Sequence, residues 1–513
     1  MRADNENLYT ALRAAFPADL DATAIETADT AAPLRYTWRD LERGTAMLAN
    51  LIDSLALPPA SRMVVQTEKS VEALMLYLAV LRAGHVFLPL NTAYQASEIE
   101  YFIGNAEPAV VVCAGKNFGW VSKIAFLAGT KHVFTLNEDR TGTLLDRAAY
   151  QGDQHTPAMR AADDLAAILY TSGTTGRSKG AMLTHGNLLS NAQVLHQAWG
   201  WRQDDVLIHA LPIFHVHGLF VASHGALLAG AKMVWFSRFE PRAAVARLRE
   251  ATVFMGVPTL YVRLLGEPGL TKEACQHMRL FVSGSAPMLI EIFKDWQART
   301  GHIILERYGM SETVMLTSNP YRPESERRGG TVGQALPGVG VRVRDDKNEA
   351  LPTGEIGGIE VRGPNVFKGY WRMPEKTQEE FTADGWFKTG DVGQVDGAGF
   401  VTIVGRSKDL IISGGYNVYP AEIEGYINDL PGVAESAVIG VRHPDFGEAV
   451  VAVLVRKPGA VLDASAVSAA LKTQIAHFKV PKQVFLVDEL PRNTMGKVQK
   501  NLLREQHKGL FAR

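Results

Sequence analysis

Between residues 36 and 55 the apolar side chains Leu41, Leu48, Ile52 and Leu55 return on one face of a 3.6-residue period. That spacing predicts an amphipathic helix, with Thr37 and Asp40 placed to form a capping box at its start. The pattern then shortens. Residues 63–66, 85–90, 110–113 and 132–136 are brief apolar runs that predict strands, and the largely apolar stretch 71–81 predicts a buried helix. Strands alternating with helices predict a parallel α/β sheet, and the alternation resumes at 206–210, 232–236 and 253–257, with a helix at 241–250. No repeat of solenoid period interrupts it. From about Gly333 the texture changes: Gly, Pro and Asp become frequent, and short runs at 341–343, 359–361 and 400–404 predict a small antiparallel β unit. After Gly405-Arg406-Ser407-Lys408-Asp409 the pattern predicts a compact α+β unit, with helices at 421–430 and 464–476 and strands at 436–441 and 449–455. A boundary near Lys408 therefore divides the expected fold into residues 1–407 and residues 408–513.

A chain of 513 residues exceeds what one hydrophobic core usually serves, and its 46% hydrophobic content is enough to fill more than one. The 53 basic and 54 acidic residues leave a formal charge of -1, which offers no overall pull toward nucleic acid or an anionic bilayer. A local positive bias beyond residue 472 could still meet phosphates. Cys113 and Cys275 are the only cysteines, which excludes a disulfide framework and a multi-cysteine metal site and suits a reducing compartment. The first residues lack the apolar core of a signal peptide, and the longest apolar helix candidate, 71–81, is too short to span a bilayer. A cytoplasmic protein is expected.

The stretch Thr171-Ser172-Gly173-Thr174-Thr175-Gly176-Arg177-Ser178-Lys179-Gly180 follows the apolar run 165–170 and precedes a helix opening near Thr184. Backbone N–H groups and short hydroxyl donors concentrated in such a loop suit a polyphosphate. The spacing is not that of a Walker loop: from Gly173 the second required glycine falls on Ser178, and from Gly176 no glycine precedes a Lys-Ser or Lys-Thr pair. Four more blocks follow in order: Glu306-Arg307-Tyr308-Gly309-Met310-Ser311-Glu312-Thr313, Trp386 to Asp391, Gly405 to Asp409, and Pro491-Arg492-Asn493-Thr494-Met495-Gly496-Lys497.

Together these five blocks resemble the signature sequences of the adenylate-forming enzymes, the superfamily of acyl-CoA synthetases, adenylation domains and beetle luciferases, over nearly the whole chain. The resemblance implies a large N-terminal α/β domain with a β subdomain and a small mobile C-terminal α+β domain, with the active site in the cleft between them. It implies ATP, Mg²⁺ and CoA as co-substrates and cofactor. Lys497 then meets the carboxylate and α-phosphate oxygens during adenylation, and Glu312 with Thr171 holds the metal. Asp391 accepts the ribose hydroxyls with help from Arg406. Ser283-Gly284 and Glu306 to Ser311 wall the nucleotide site beside the loop Thr171 to Gly176 and Lys179, and Lys408 marks the hinge.

The chemistry is consistent with this. A carboxylate acylates a thiol poorly until AMP is attached to it, and bringing two anions together needs cationic neutralisation and fixed alignment. For the acid, a fatty-acyl pocket should be apolar, because an unpaired buried arginine costs several kcal/mol. Arg263, His217 and Ser285 instead form a candidate cradle for a second carboxylate. The text around them resembles the malonyl-CoA synthetases, which implies malonate or methylmalonate as substrate. His215 and His217 as a metal pair lack a third ligand in view. Loading a separate carrier protein, activating another short-chain acid, and binding nucleotide without catalysis stay open as alternatives.

Overall fold

In the computed structural model, residues 5–28, 32–171, 178–345, 347–413, 416–444, 446–472, 474–475, 477–493 and 496–511 are described. Chain contacts divide it into two compact units: residues 1–340 with 361–387, and residues 341–360 with 388–513. By compactness the β-rich segment ahead of Lys408 thus groups with the C-terminal residues.

The first unit is built on two sheets. In the six-stranded sheet the order is His132–Thr135, Val110–Cys113, Arg62–Gln66, Val86–Pro89, Leu165–Thr171 and Lys179–Thr184. Its first five strands are parallel, and the last pair is an antiparallel hairpin. The nine-stranded sheet is parallel through Leu305–Tyr308, Leu280–Ser283, Val253–Gly256, Val206–His209, Lys232–Trp235 and Thr23–Thr27, with short antiparallel strands at both edges. Short apolar strands buried on both faces read as unbroken hydrophobic runs, which is why periodicity located them.

The capping box at Thr37 and Asp40 is present at the head of the helix Trp38–Ser54. Every residue of the helix Val71–Arg82 is buried, the charged Glu72 and Arg82 included, as its largely apolar text leads one to expect. The helix expected at 241–250 stops at Arg247 and tightens into a 3₁₀ turn over Leu248–Glu250. The phosphate-loop region also departs from the expected strand, loop and helix. A second strand, Lys179–Thr184, returns beside the first before Thr184 caps the helix His185–Ala198. Its outer edge is covered too: Lys368 donates to the Met182 carbonyl (3.0 Å), Met182 to Gly369 (3.0 Å) and Trp371 to Gly180 (2.7 Å). The ladder itself is a hairpin with the preceding strand, and a segment remote in sequence covers the other edge.

In the second unit a four-stranded sheet runs in the order Gly340–Arg344, Gly357–Arg362, Phe387–Val395 and Val401–Arg406. A five-stranded sheet follows, with Gly447–Arg456 pairing antiparallel with Val433–His443 and parallel with Gln483–Val487. Alternate residues of Val433–His443 enter two cores, Val438 on one face and Ala437, Ile439 and Val441 on the other. The helices Pro420–Asn428 and Ala464–Lys472 close the first face, and Leu503 of the helix Lys500–His507 closes the second. The helix expected at 464–476 ends at Lys472. No helix among the described residues is long and apolar enough to cross a membrane.

Candidate active site

Three groups of site residues can be built up, two in the first unit and one in the second. The first surrounds the hairpin. Residues Ser172, Gly173, Thr174, Thr175 and Gly176 lie outside the described residues, but both ends of the loop are defined, with Thr171 paired to Lys179 across the ladder. The Lys179 ammonium lies 3.3 Å from Glu380 Oε1 and 4.2 Å above the Tyr370 ring. Tyr370 donates from its hydroxyl to Glu312 Oε1 at 2.9 Å. Lys179 and Glu312, more than a hundred residues apart, are thereby linked through one tyrosine. Glu312, 5% exposed, sits in the turn after Leu305–Tyr308, and its carbonyl accepts from Phe367 N–H at 2.8 Å. Within this turn Gly309 is required sterically, because a Cβ there would stand 1.9 Å from the Val314 carbonyl oxygen. Met310 and Ser311 complete it, with Thr313 donating back to the Met310 carbonyl. Asn365 Nδ2 ties the same turn down through the carbonyls of Thr313 (2.7 Å) and Met315 (2.9 Å).

The second group lies at the ends of adjacent parallel strands, where open α/β sheets place their ligands. Ser283 ends Leu280–Ser283, and Glu306, Arg307 and Tyr308 belong to the neighbouring strand Leu305–Tyr308. Arg307 is 2% exposed, and its Nε and Nη2 make no hydrogen bond among the described residues. Burial pushes its pKa down to about 9, opposed only by the Tyr261 phenol. Its guanidinium packs against Gly284, where a Cβ would stand 2.5 Å from Nη1. Beside it, His217 Nδ1 and Ser285 Oγ are 3.3 Å apart, and Ser285 holds a positive φ of 70°. His217 opens the π-helix His217–Ser223, a winding often found at functional sites, and its Nε2 is buried without a partner. Burial first, then the charge of Arg307, keeps its imidazole well below the usual histidine pKa. Glu306 is raised to about 8 by burial, against the backbone N–H groups of Gly330 and Met288.

The three residues read from the sequence as a cradle are not all brought together. His217 and Ser285 meet, but Arg263 is exposed on the helix Pro258–Leu265, with its guanidinium 4.9 Å above the Phe239 ring. Arg307, read from the sequence as part of the nucleotide wall, is the buried guanidinium near His217. Strand alternation sends Arg307 to the opposite face from Glu306 and Tyr308, which a motif block does not reveal. His217 uses Nδ1 on Ser285, and no group of three or more His, Cys, Asp or Glu among the described residues is placed to hold a metal.

The third group lies in the second unit, where Asp391 faces Arg406 across the hairpin of Phe387–Val395 and Val401–Arg406. Arg406 Nε is 2.7 Å from Asp391 Oδ1, and Nη1 donates to the Thr389 carbonyl at 3.2 Å. Lys408 follows in the 3₁₀ turn Ser407–Asp409, and Asp409 is paired with Arg504. Lys408 and Lys497 are both exposed as residues. Desolvation first, with help from Arg406, Lys497 and Arg504, brings Lys408 down to about 8. Lys497 is lowered by desolvation and then by Arg406, against the opposing charges of Asp391 and Asp409. Four residues expected to serve one chemistry thus share one electrostatic neighbourhood. Tyr370 and Asn365 were not found from the sequence, because their contribution comes from pairing with Lys179–Thr184 and the Glu312 turn.

Residues 14–371 match the family of AMP-binding enzymes, and residues 422–497 match the AMP-binding enzyme C-terminal domain. The chain is 35% identical over 477 residues to a malonate–CoA ligase of Arabidopsis thaliana, covering 87% of this chain and 78% of that protein. It is 34% identical over 488 residues to a feruloyl-CoA synthase of an Amycolatopsis species, covering 94% and 96%. The ATP-bound crystal structure of MatB from Rhodopseudomonas palustris superposes with a TM-score of 0.96 at 54% identity, covering 99% of this chain and 100% of that one. Relatives with such different acids at nearly equal identity make the pocket, not overall similarity, the guide to the acid.

Proposed function

Because the chain belongs to the AMP-binding enzyme family, we propose that it is an AMP-forming acid–CoA ligase acting on malonate, with methylmalonate as a second substrate. The observation that carries the acid is Arg307, a buried guanidinium with two unpartnered nitrogens beside His217 and Ser285. An isolated buried charge is costly, and a carboxylate presenting two oxygens to the planar fork removes that cost. Ferulate has no second carboxylate to offer. Malonate has one, two bonds from the carbon to be activated. His217, held neutral, adds a donor or acceptor without adding charge.

In this reading one malonate carboxylate oxygen attacks the α-phosphorus of ATP, pyrophosphate departs, and the CoA thiol then displaces AMP from the acyl carbon. Lys497 supplies positive charge to the carboxylate and α-phosphate oxygens, while Lys179 and the loop from Thr171 hold the β- and γ-phosphates. The Glu312 carboxylate and Thr171 hydroxyl are hard oxygen donors that suit Mg²⁺, and Tyr370 fixes the carboxylate. When bound, the metal supplies charge neutralisation along the phosphates. Asp391, oriented by Arg406, accepts the ribose hydroxyls, and Ser283, Gly284, Glu306, Tyr308, Gly309, Met310 and Ser311 wall the adenine site. Lys408 is the proposed hinge, so that residues 1–407 and 408–513 act as the two working domains. The two cysteines, buried thiols raised to about 12 by burial, suit the cytoplasm as its proposed setting.

A panel of mono- and dicarboxylic acids assayed with ATP and CoA tests this reading. Malonate should lead, with AMP and pyrophosphate released only when an acid is present. Arg307→Met should lower kcat/KM for malonate by about 10²- to 10⁴-fold, the factor matching about 3–5 kcal/mol for a broken buried ion pair, and should spare acetate. Arg263→Ala should cost far less. Equal losses on both acids would remove Arg307 from the cradle. Preference for a phosphopantetheinylated carrier over CoA would make this a carrier-loading enzyme.

A further inference from the structure

We propose that Tyr370 is a positioning residue that holds the carboxylate of Glu312 and the ammonium of Lys179 in one fixed relation, so that the metal-holding and phosphate-holding groups act as a unit. This rests on the roles given above to Glu312 and Lys179. The tyrosine touches both groups at once: its hydroxyl donates to Glu312 Oε1 at 2.9 Å, and Lys179 Nζ lies 4.2 Å above its ring. The ring itself is rigidly seated. Tyr370 is 3% exposed and bridges to Ala181 on the strand that carries Lys179. Its N–H donates to Thr377 Oγ1 at 2.9 Å, and its edge meets Phe367 at 4.8 Å. Preceding it, Gly369 has a φ of 129°, and a Cβ there would stand 2.5 Å from Thr377 Cγ2, so only glycine fits this approach to Thr377.

Two effects follow from this geometry. A hydrogen bond to a metal-ligating carboxylate restricts its rotation, and loss of such a partner typically costs 10- to 100-fold in metal affinity. An ammonium over an aromatic face is attracted by the ring and kept from swinging away with its flexible stem. Glu380, 3.3 Å from the same ammonium, supplies the charge that keeps Lys179 seated before phosphates arrive.

Calorimetric titration of the full chain with ATP, without acid, separates these roles when run once with Mg²⁺ and once with EDTA. The ratio of the two affinities is the gain conferred by the metal. Tyr370→Phe, which keeps the ring, should reduce that gain about tenfold or more and leave the EDTA affinity unchanged. Tyr370→Leu, which also removes the ring, should lower the EDTA affinity as well. An unchanged gain in Tyr370→Phe, or a proportional fall in both arms, would overturn the proposal, the second outcome being that of a merely structural tyrosine. Glu312→Gln distinguishes the two levels of failure. If it abolishes the gain while Tyr370→Phe does not, only the positioning role fails; if it leaves the gain intact, the reading of Glu312 fails and the proposal with it.

Discussion

Arg307 in the first unit and Lys497 in the second are both cations held below their ordinary pKa by desolvation, yet their surroundings differ in kind. Among the described residues no carboxylate acts on Arg307, and its Nε and Nη2 make no hydrogen bond, which suits the proposed role of meeting an incoming anion. Lys497 stands among Asp391, Asp409 and Arg406, charges of both signs that partly cancel. A group that recognises one ground-state carboxylate profits from being dry and unpaired. A group that must serve a carboxylate and a phosphate during bond exchange, in a unit proposed to move, has to remain stable without either. On the proposed function, acid recognition by Arg307 falls to the first unit and the lysine of adenylation to the second.

The harshest way to test this division is Lys497→Ala. Removing a charge aimed at the reacting oxygens should lower malonyl-adenylate formation by about 10²–10³-fold, the scale of a lost electrostatic stabiliser. Transfer from pre-formed malonyl-adenylate to CoA should survive within a fewfold. Comparing pyrophosphate exchange with single-turnover thioester formation gives the result directly, and equal loss in both would move Lys497 out of the adenylation step.

The next effect is on stability. His185, His209, His217 and His224 are buried in the first unit, and burial lowers each, His185 to about 4 and His224 to about 3. Between those folded values and the unfolded value near 6.5, the unfolded chain binds protons that the folded chain refuses, so stability falls as pH drops through this window. His185 alone should contribute about 3 kcal/mol of loss by pH 4, at about 1.4 kcal/mol per pH unit. Denaturant midpoints measured from pH 7 to pH 4 should therefore fall, and His185→Gln should flatten the slope.

A smaller change, of opposite sign to intuition, is expected from Arg307→Met in the ligand-free protein. Exchanging an uncompensated buried charge for an apolar side chain should raise the unfolding free energy by about 1–2 kcal/mol while abolishing stabilisation by added malonate. A destabilised variant would mean that Arg307 has a structural partner, and the contrast with Lys497 would disappear.

How much of this was legible beforehand depended on range. The helix at Val71–Arg82 and the capping box at Thr37 were readable because their determinants lie within a few residues. The blocks around Glu312, Asp391 and Lys497 could be found because their chemistry is carried by contiguous text. The strand Lys179–Thr184 was missed because its short polar start reads as part of the loop, whereas Tyr370 was missed because its partners lie far along the chain. The choice between Arg263 and Arg307 turned on burial. Both are arginines in suggestive places, but only the second is enclosed, and enclosure is set by how neighbouring strands pack.

The finest distinction concerns Arg406, which joins the two roles that the second unit combines. Its fork reaches Asp391 and the Thr389 carbonyl together, so it orients the proposed ribose acceptor, and its charge is the largest positive influence on Lys497 after desolvation. Arg406→Lys keeps the charge but loses the two-point grip and should raise KM for ATP about tenfold, the loss of about 1.4 kcal/mol. Arg406→Gln loses the charge as well. Because Lys497 acts when protonated, removing a neighbouring cation should let it hold its proton to higher pH and shift the alkaline limb of the adenylation profile upward. Arg406→Lys should leave that limb in place. If both variants share the wild-type limb, the alkaline loss belongs to a group other than Lys497, and the balance of charges around that lysine plays no part in its chemistry.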